Sequence, residues 1–172
     1  RELAVQKLPD KAQTWVNLRL LYTHGYGVAL SPVNEFTADG LPSLLVKDIP
    51  PTGTLPITRP EIYFGEQTTS YIFVKTKEKE FDYPKGDENA FTTYSGKGGV
   101  PIATLGDQLM FALRFGDFNI LLTDALTADS RIMFNRNIQT RINRVAPFLR
   151  LDRDPYLVIA DGRLYWMQDA YT

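Results

Sequence analysis

One histidine and a few spaced carboxylates are the residues of this chain with chemistry to offer. His24 is the sole histidine in 172 residues and lies in Thr23-His24-Gly25-Tyr26-Gly27. The two glycines that follow it let a ligand approach closely, and an imidazole moves protons near neutral pH. A turn histidine bonded to backbone is the competing reading. Glu61 and Glu66 invite comparison with the paired carboxylates of glycoside hydrolysis. An odd separation on a straight strand turns them to opposite faces, so Gly65 would have to break the strand for them to converge. Asp82 adds a carboxylate in Glu80-Phe81-Asp82-Tyr83. Asp152 and Asp154 are two apart and share a strand face. With Asp161 or Asp169 they offer oxygen ligands to a hard cation such as calcium. The calcium-loop pattern is absent, and turn duty competes.

Other motifs are weaker. Ser95-Gly96-Lys97-Gly98-Gly99 before a helix resembles an anion-cradling loop. It lacks the spacing of a phosphate loop, and no strand leads into it. Arg131, Arg136, Arg141 and Arg144 have the charge to meet phosphate, but a solvated helix face explains them as well. The absence of cysteine excludes disulfides, thiolate zinc sites and cysteine nucleophiles. One histidine cannot build a histidine-rich metal site. With no serine-hydrolase elbow, zinc-protease helix motif or dinucleotide fingerprint, no cofactor is expected. A net charge of −1 gives no overall field to draw nucleic acid.

The elements that must position these groups follow from periodicity. Residues 129–145 read as one amphipathic helix. Phe134, Ile138, Ile142 and Val145 form its apolar stripe, with Arg136, Arg141 and Arg144 opposite in water. Thr127, Asp129 or Ser130 caps it, and Pro147 ends it. Residues 156–166 read as a tight hairpin turning on Asp161-Gly162, with β-branched and aromatic flanks. Residues 15–22 alternate as a half-buried strand. Residues 41–49 fit a short helix or an extended segment equally. Residues 50–60, with four prolines, form a surface connector. Residues 61–64 and 71–75 are strands, and residues 79–83 return as a hairpin partner. Residues 84–99 are a long polar loop. A helix beginning near residues 101–104 buries Leu105, Leu109, Ala112 and Leu113, and a second covers residues 118–126.

Strands first, then helices, then a strand pair predict an α+β fold. The expectation is a mixed, largely antiparallel sheet with two to three helices packed on one face and a C-terminal β-hairpin, in one soluble domain over residues 1–172. Aromatics are 12% of the chain. Tyr63, Phe64, Tyr71, Phe73, Phe81, Tyr83, Tyr165, Trp166 and Tyr171 are too many to face inward together, so some must form an outward surface. No apolar run reaches the ~18–20 residues of a membrane span. A start at Arg1 without Met points to a piece excised from a longer protein.

Several strings, taken together and in order, carry a resemblance. They include Tyr22-Thr-His-Gly-Tyr-Gly, Ser31-Pro-Val-Asn, Arg59-Pro-Glu-Ile-Tyr-Phe-Gly-Glu, Glu80-Phe-Asp-Tyr-Pro, Asp129-Ser-Arg-Ile-Met-Phe, Ala146-Pro-Phe-Leu and Asp161-Gly-Arg-Leu-Tyr-Trp. Over almost its whole length the chain resembles uncharacterised protein family 0182, large bacterial integral membrane proteins with N-terminal transmembrane helices and a big soluble region. The resemblance implies a piece of that soluble region, continuing beyond Thr172 and held on the outer side of the cytoplasmic membrane by segments absent here. The family has no established activity, so no residue role carries over. The expected partners are the rest of the parent membrane protein and an envelope protein or polymer, with no nucleic acid. The expected function is an interaction or assembly module. The alternative is an envelope hydrolase using His24 or a carboxylate from Glu61, Glu66 or Asp82. A third is a cation-stabilised module using Asp152 and Asp154.

Overall fold

The computed structural model describes residue 11 and residues 13–172. The elements in order begin with a π-helix (Asn17–Leu21), β1 (Gly25–Tyr26), β2 (Val46–Lys47), β3 (Thr52–Gly53) and β4 (Glu61–Ile62). Next come β5 (Ile72–Val74), β6 (Glu80–Lys85), β7 (Glu88–Thr92), β8 (Val100–Pro101), α1 (Leu105–Phe115), α2 (Asn119–Leu122) and β9 (Arg131–Met133). The chain ends with α3 (Ile138–Val145), β10 (Arg150–Leu151), β11 (Tyr156–Ala160), β12 (Arg163–Met167) and β13 (Ala170–Tyr171). This is the α+β class. The strands form five two-stranded sheets and one of three strands among the described residues, with antiparallel pairing throughout. Isolated parallel bridges join Arg59 to Arg163 and Gly65 to Asn137. Contacts divide the chain into two compact units.

The first unit holds His24–Thr68 and Arg136–Thr172. Its clearest element is the hairpin of β11 and β12, in register from Tyr156↔Met167 to Ala160↔Arg163. Asp161 and Gly162 take φ of 50° and 71°, the pair of positive values that the tight turn requires. The Gly162 carbonyl accepts the Thr58 N–H at 2.8 Å and its hydroxyl at 3.0 Å, which ties the proline-rich connector to the turn. Alternation along the pair places Leu157, Ile159, Leu164 and Trp166 on one face. β1 pairs with β4, and β2 with β3, so the undecided residues 41–49 are extended at their end.

α3 is shorter than the sequence predicts. Asn137 caps it by accepting the Thr140 N–H at 3.0 Å, and it stops before Pro147 as expected. Ile138 is buried and Ile142 half-buried, but Val145 is 80% exposed. Residues 129–136 are not helical. Thr127 and Ser130 donate their hydroxyls to the Lys75 carbonyl, and Asn135 at φ 50° breaks the chain before α3 begins. Arg136, placed in water by the helical reading, is buried and donates from Nε to the Tyr63 carbonyl at 2.7 Å.

The second unit holds residues 13–23 and Thr69–Asn135. β9 is the centre of its three-stranded sheet, between β5 and β8. Pairing on both edges overrides the helical pattern of Arg131-Ile132-Met133, because a central strand satisfies its backbone on either side. All of β5 is buried. Phe73, Ile132, Ile102, Phe111, Ile120 and Leu20 lead the core, with Trp15, Phe115 and Phe134 packed around it. Residues 15–22 are not a strand. The Tyr22 N–H reaches the Asn17 carbonyl at 2.9 Å, the wider turn of a π-helix. That turn brings Trp15 and Arg19 together onto Tyr71.

β6 pairs with β7 rather than with β5, turning at Gly86-Asp87. The polar stretch 84–99 therefore contains a strand, and Gly86 at φ 61° is the turn signal inside it. α1 is closed by a capping box between Thr104 and Asp107, and by Gly116 at φ 63°. Of the expected face only Ala112 is buried. Phe111 and Ala112 are buried, with Phe115 stacked 4.5 Å from Tyr71, while Leu105, Leu109 and Leu113 point outward. The second helix is only Asn119–Leu122.

Candidate functional site

His24 is held by the β1–β4 pair. It precedes Gly25, which lies opposite Ile62, and its ring stands 5.0 Å from that of Tyr63. The imidazole is 7% exposed, and its Nδ1 lies 3.1 Å from the Gly25 carbonyl. Nε2 is buried with no hydrogen-bond partner among the described residues. Glu61 is half-buried opposite Tyr26, and the Gly27 N–H donates to the Pro60 carbonyl at 2.8 Å. Residues 24–27 and 59–62 thus meet as sheet partners.

Glu66 leaves that strand at the expected break. The Gly65 N–H donates to the Thr68 hydroxyl at 2.8 Å and to the Arg136 carbonyl at 3.1 Å, and the Thr68 hydroxyl donates to both carbonyls around it. The Glu66 carbonyl accepts from the Asn137 amide at 2.7 Å. The residue then lines a cavity of about 500 Å³ together with Asp154. Val28, Leu30 and Leu55 form part of the wall, and Leu157, Ile159 and Trp166 of the hairpin another part. Trp166 is fixed by its indole N–H, which donates to the Phe64 carbonyl at 2.8 Å. Of the residues around it, Glu66, Asp154, Leu55 and Tyr156 are exposed while Val28 and Pro155 are buried.

Asp152 and Asp154 line different cavities. Asp152 lines a second cavity, about 650 Å³, with Arg150 and Arg153, and its Oδ1 accepts the Arg153 N–H at 2.5 Å. Guanidinium neighbours oppose a divalent cation there. Among the described residues no three His, Cys, Asp or Glu side chains group as metal ligands. His24 and Glu61 line neither of these cavities. Asp82 belongs to the other unit, at the bulge of β6 between Phe81 and Tyr83.

The other motifs resolve into scaffold. Arg131 donates to the Gly98 and Gly99 carbonyls at 2.8 Å each, and the Gly98 N–H is taken by the Tyr94 hydroxyl at 2.9 Å. That glycine loop is clamped rather than opened for an anion. Arg141 lies 4.5 Å over the Phe64 ring. The arginines of the expected solvated face therefore hold three different places.

Two features of the second unit escaped sequence reasoning. The first is a polar network at the core. The Tyr71 hydroxyl donates to Asp117 Oδ2, the Trp15 indole donates to the same oxygen at 2.9 Å, and Arg19 stacks 4.1 Å over the Tyr71 ring. Burial, then the bond to Asp117, pushes the Tyr71 phenol up to about 12. Burial pushes the Asp117 carboxyl up, but hydrogen bonds from Tyr71, Trp15 and Asn119 outweigh it and hold the group below its usual range. The second is the outer face of α1. Leu105 is 75% exposed and Leu113 65%, with Leu109 and Met110 also open. Phe118 and Leu122 of the adjoining helix, which packs against α1, are exposed as well. The signal for this face was Phe111 and Phe115, one turn apart and bulkier than the leucines that compete with them.

Comparison with known proteins adds context. The sequence model of one family, described as "Uncharacterised protein family (UPF0182)", matches residues 1–172. A UPF0182 protein of Pelotomaculum thermopropionicum is 54% identical over 174 residues, and one of a Sulfurovum species is 56% identical over 175. One of Trichodesmium erythraeum is 51% identical over 174 residues. Each alignment covers 100% of this chain and 19% of the relative, so the chain spans about a fifth of their length. No solved structure matches.

Proposed function

The chain belongs to the uncharacterised protein family UPF0182, and from that premise we propose that it is an interaction or assembly module. It docks, through the outer face of α1 and α2, on the remaining parts of the longer polypeptide. The observation that carries this reading is the line of Leu105, Leu109 and Leu113, at helical spacing on the side of α1 turned away from the core. Full burial of one such side chain contributes about 1.5–3 kcal/mol. A face with three of them, plus Met110, Phe118 and Leu122, is a large apolar surface to leave in water. The chain spans 19% of its relatives' length, so the polypeptide that would cover it is plentiful.

The test compares the solvent accessibility of this face in the 172-residue chain and in the whole protein. Protection only in the whole protein supports the proposal; protection by self-association would assign the face to a second copy instead. An envelope protein or polymer is the partner to try if the face stays open in the whole protein.

The resemblance supports a membrane tether through other segments, with this region outside the cytoplasm. Among the described residues no helix is long and apolar enough to cross a membrane. Alkaline phosphatase fused after Thr172 of the whole protein should be active, whereas fluorescence from a green fluorescent protein fused there would overturn the placement.

Hydrolysis is the second reading, and Glu66 is the observation that favours it, since it faces a cavity shared with a second carboxylate, Asp154. Turnover in an unbiased hydrolase panel that disappears in Glu66→Gln would establish it; no turnover removes it.

A further inference from the structure

We propose that the cavity beside the C-terminal hairpin binds an alkylammonium group, an aliphatic chain ending in a positive charge, as a lysine side chain or a free amine presents. The cavity lies in the first unit and the docking face in the second. The cavity holds about 500 Å³ and its inner lining is aliphatic and aromatic, with Leu30, Leu157, Ile159 and Trp166 contributing. Such side chains can pack against a hydrocarbon stem.

The charge at the margin is of one sign. Glu66 and Asp154 are lining residues, and among the described residues no Lys, Arg or His lines the cavity with them. Both are exposed, and neither carboxylate makes an ion pair or side-chain hydrogen bond among the described residues. Elsewhere in this unit a basic side chain is engaged by its surroundings: Arg136 donates to Tyr63, and Arg141 covers Phe64. Two unneutralised carboxylates above an apolar lining favour a ligand that supplies a cation at one end and hydrocarbon at the other.

The test titrates the chain with hexylammonium, hexanol and hexanoate, three ligands of one stem and different charge. Binding is read from the indole N–H resonance of Trp166 and the backbone amides of Leu157 and Ile159. Hexylammonium should move these resonances and bind about fivefold or more tightly than hexanol, the scale of one or two exposed ion pairs, with hexanoate weakest. Added salt should shrink that preference. Glu66→Gln with Asp154→Asn should bring hexylammonium and hexanol to parity while leaving hexanol unchanged. If the double variant does not fold, the three-ligand comparison and its salt dependence in the wild type decide alone. A blocked lysine amide binding more tightly than hexylammonium assigns the site to a protein partner, and the reverse assigns it to a free amine. Equal binding of all three stems, or hexylammonium that leaves the Trp166 indole unmoved, overturns the proposal.

Discussion

The Tyr71 hydroxyl donates to the carboxylate of Asp117, joining the residue before β5 to the residue just past the end of α1. The Trp15 indole shares the acceptor oxygen, and Asn119 donates backbone and side-chain N–H to the other one. Every lone-pair direction of that carboxylate faces a donor, so three segments remote in sequence close on one charge. A hydrogen bond to a charged group contributes about 1.5–3 kcal/mol. Tyr71→Phe keeps the ring stack on Phe115 and removes only the hydroxyl, so chemical denaturation should report a loss near the lower end of that range. A variant as stable as the wild type would mean the bond contributes nothing net.

The same pair sets the pH limits of the second unit. Asp117 is held below its usual range, so its contribution is complete above the unfolded value of about 3.9 and is lost as pH falls through the lower folded value. Tyr71 is pushed up to about 12, so its contribution is complete below the unfolded value of about 10 and is lost as pH rises toward 12. Melting temperature against pH should fall at both ends. Asp117→Asn should flatten the acid limb and Tyr71→Phe the alkaline one. Near-ultraviolet titration should show a late tyrosine step, and that step should vanish in Tyr71→Phe.

Gly162 carries the hairpin turn. It sits at φ 71°, and a Cβ there would meet the Thr58 side chain at 3.1 Å. Gly162→Ala should cost about 1–3 kcal/mol through backbone strain and that contact. Thr58→Ala should relieve part of the loss in the double variant while itself removing one hydroxyl bond to the Gly162 carbonyl. Thermal unfolding of the four proteins separates the two terms; additive losses would show that Thr58 is not the obstacle.

Arg136 and Arg144 test the corrected helix. Periodicity put both on one hydrated face, but Arg136 is 4% exposed and bonded to Tyr63, and Arg144 is exposed in the last turn of α3. Arg136→Met should cost about 2–3 kcal/mol, because it leaves the Tyr63 carbonyl without its charged donor. Arg144→Ala should stay within about 0.5 kcal/mol. Equal costs would restore the long helix over residues 129–145.

Local signals were legible where the backbone itself demands a residue type. Asp161-Gly162 announced its turn, Pro147 ended α3, and the α+β class followed from the order of elements. Tertiary pairing decided the rest. Arg131-Ile132-Met133 fits a helical wheel, and only the partners on both sides, β5 and β8, make it a strand. Leu105, Leu109 and Leu113 are apolar at helical spacing, yet the core selected the neighbouring face because Phe111 and Phe115 fill more of it. Of the candidate residues, Glu66 and Asp154 were each visible, but their sharing of one cavity was not. They come from segments far apart in sequence, and Asp154 paired on paper with its neighbour Asp152. His24 proved buried just before β1, where the glycines after it had suggested an open approach.

The central claim is that the outer face of α1 is covered in the whole protein. The chain contains no cysteine, so Leu109→Cys and Leu113→Cys can be read singly by thiol labelling and peptide mass mapping. Val33→Cys, at a fully exposed position, is the control. Both α1 cysteines should label as fast as the control in the 172-residue chain and at least tenfold more slowly in the whole protein, the ratio expected when about 1.4 kcal/mol of opening precedes reaction. Equal labelling in the two contexts would contradict the account.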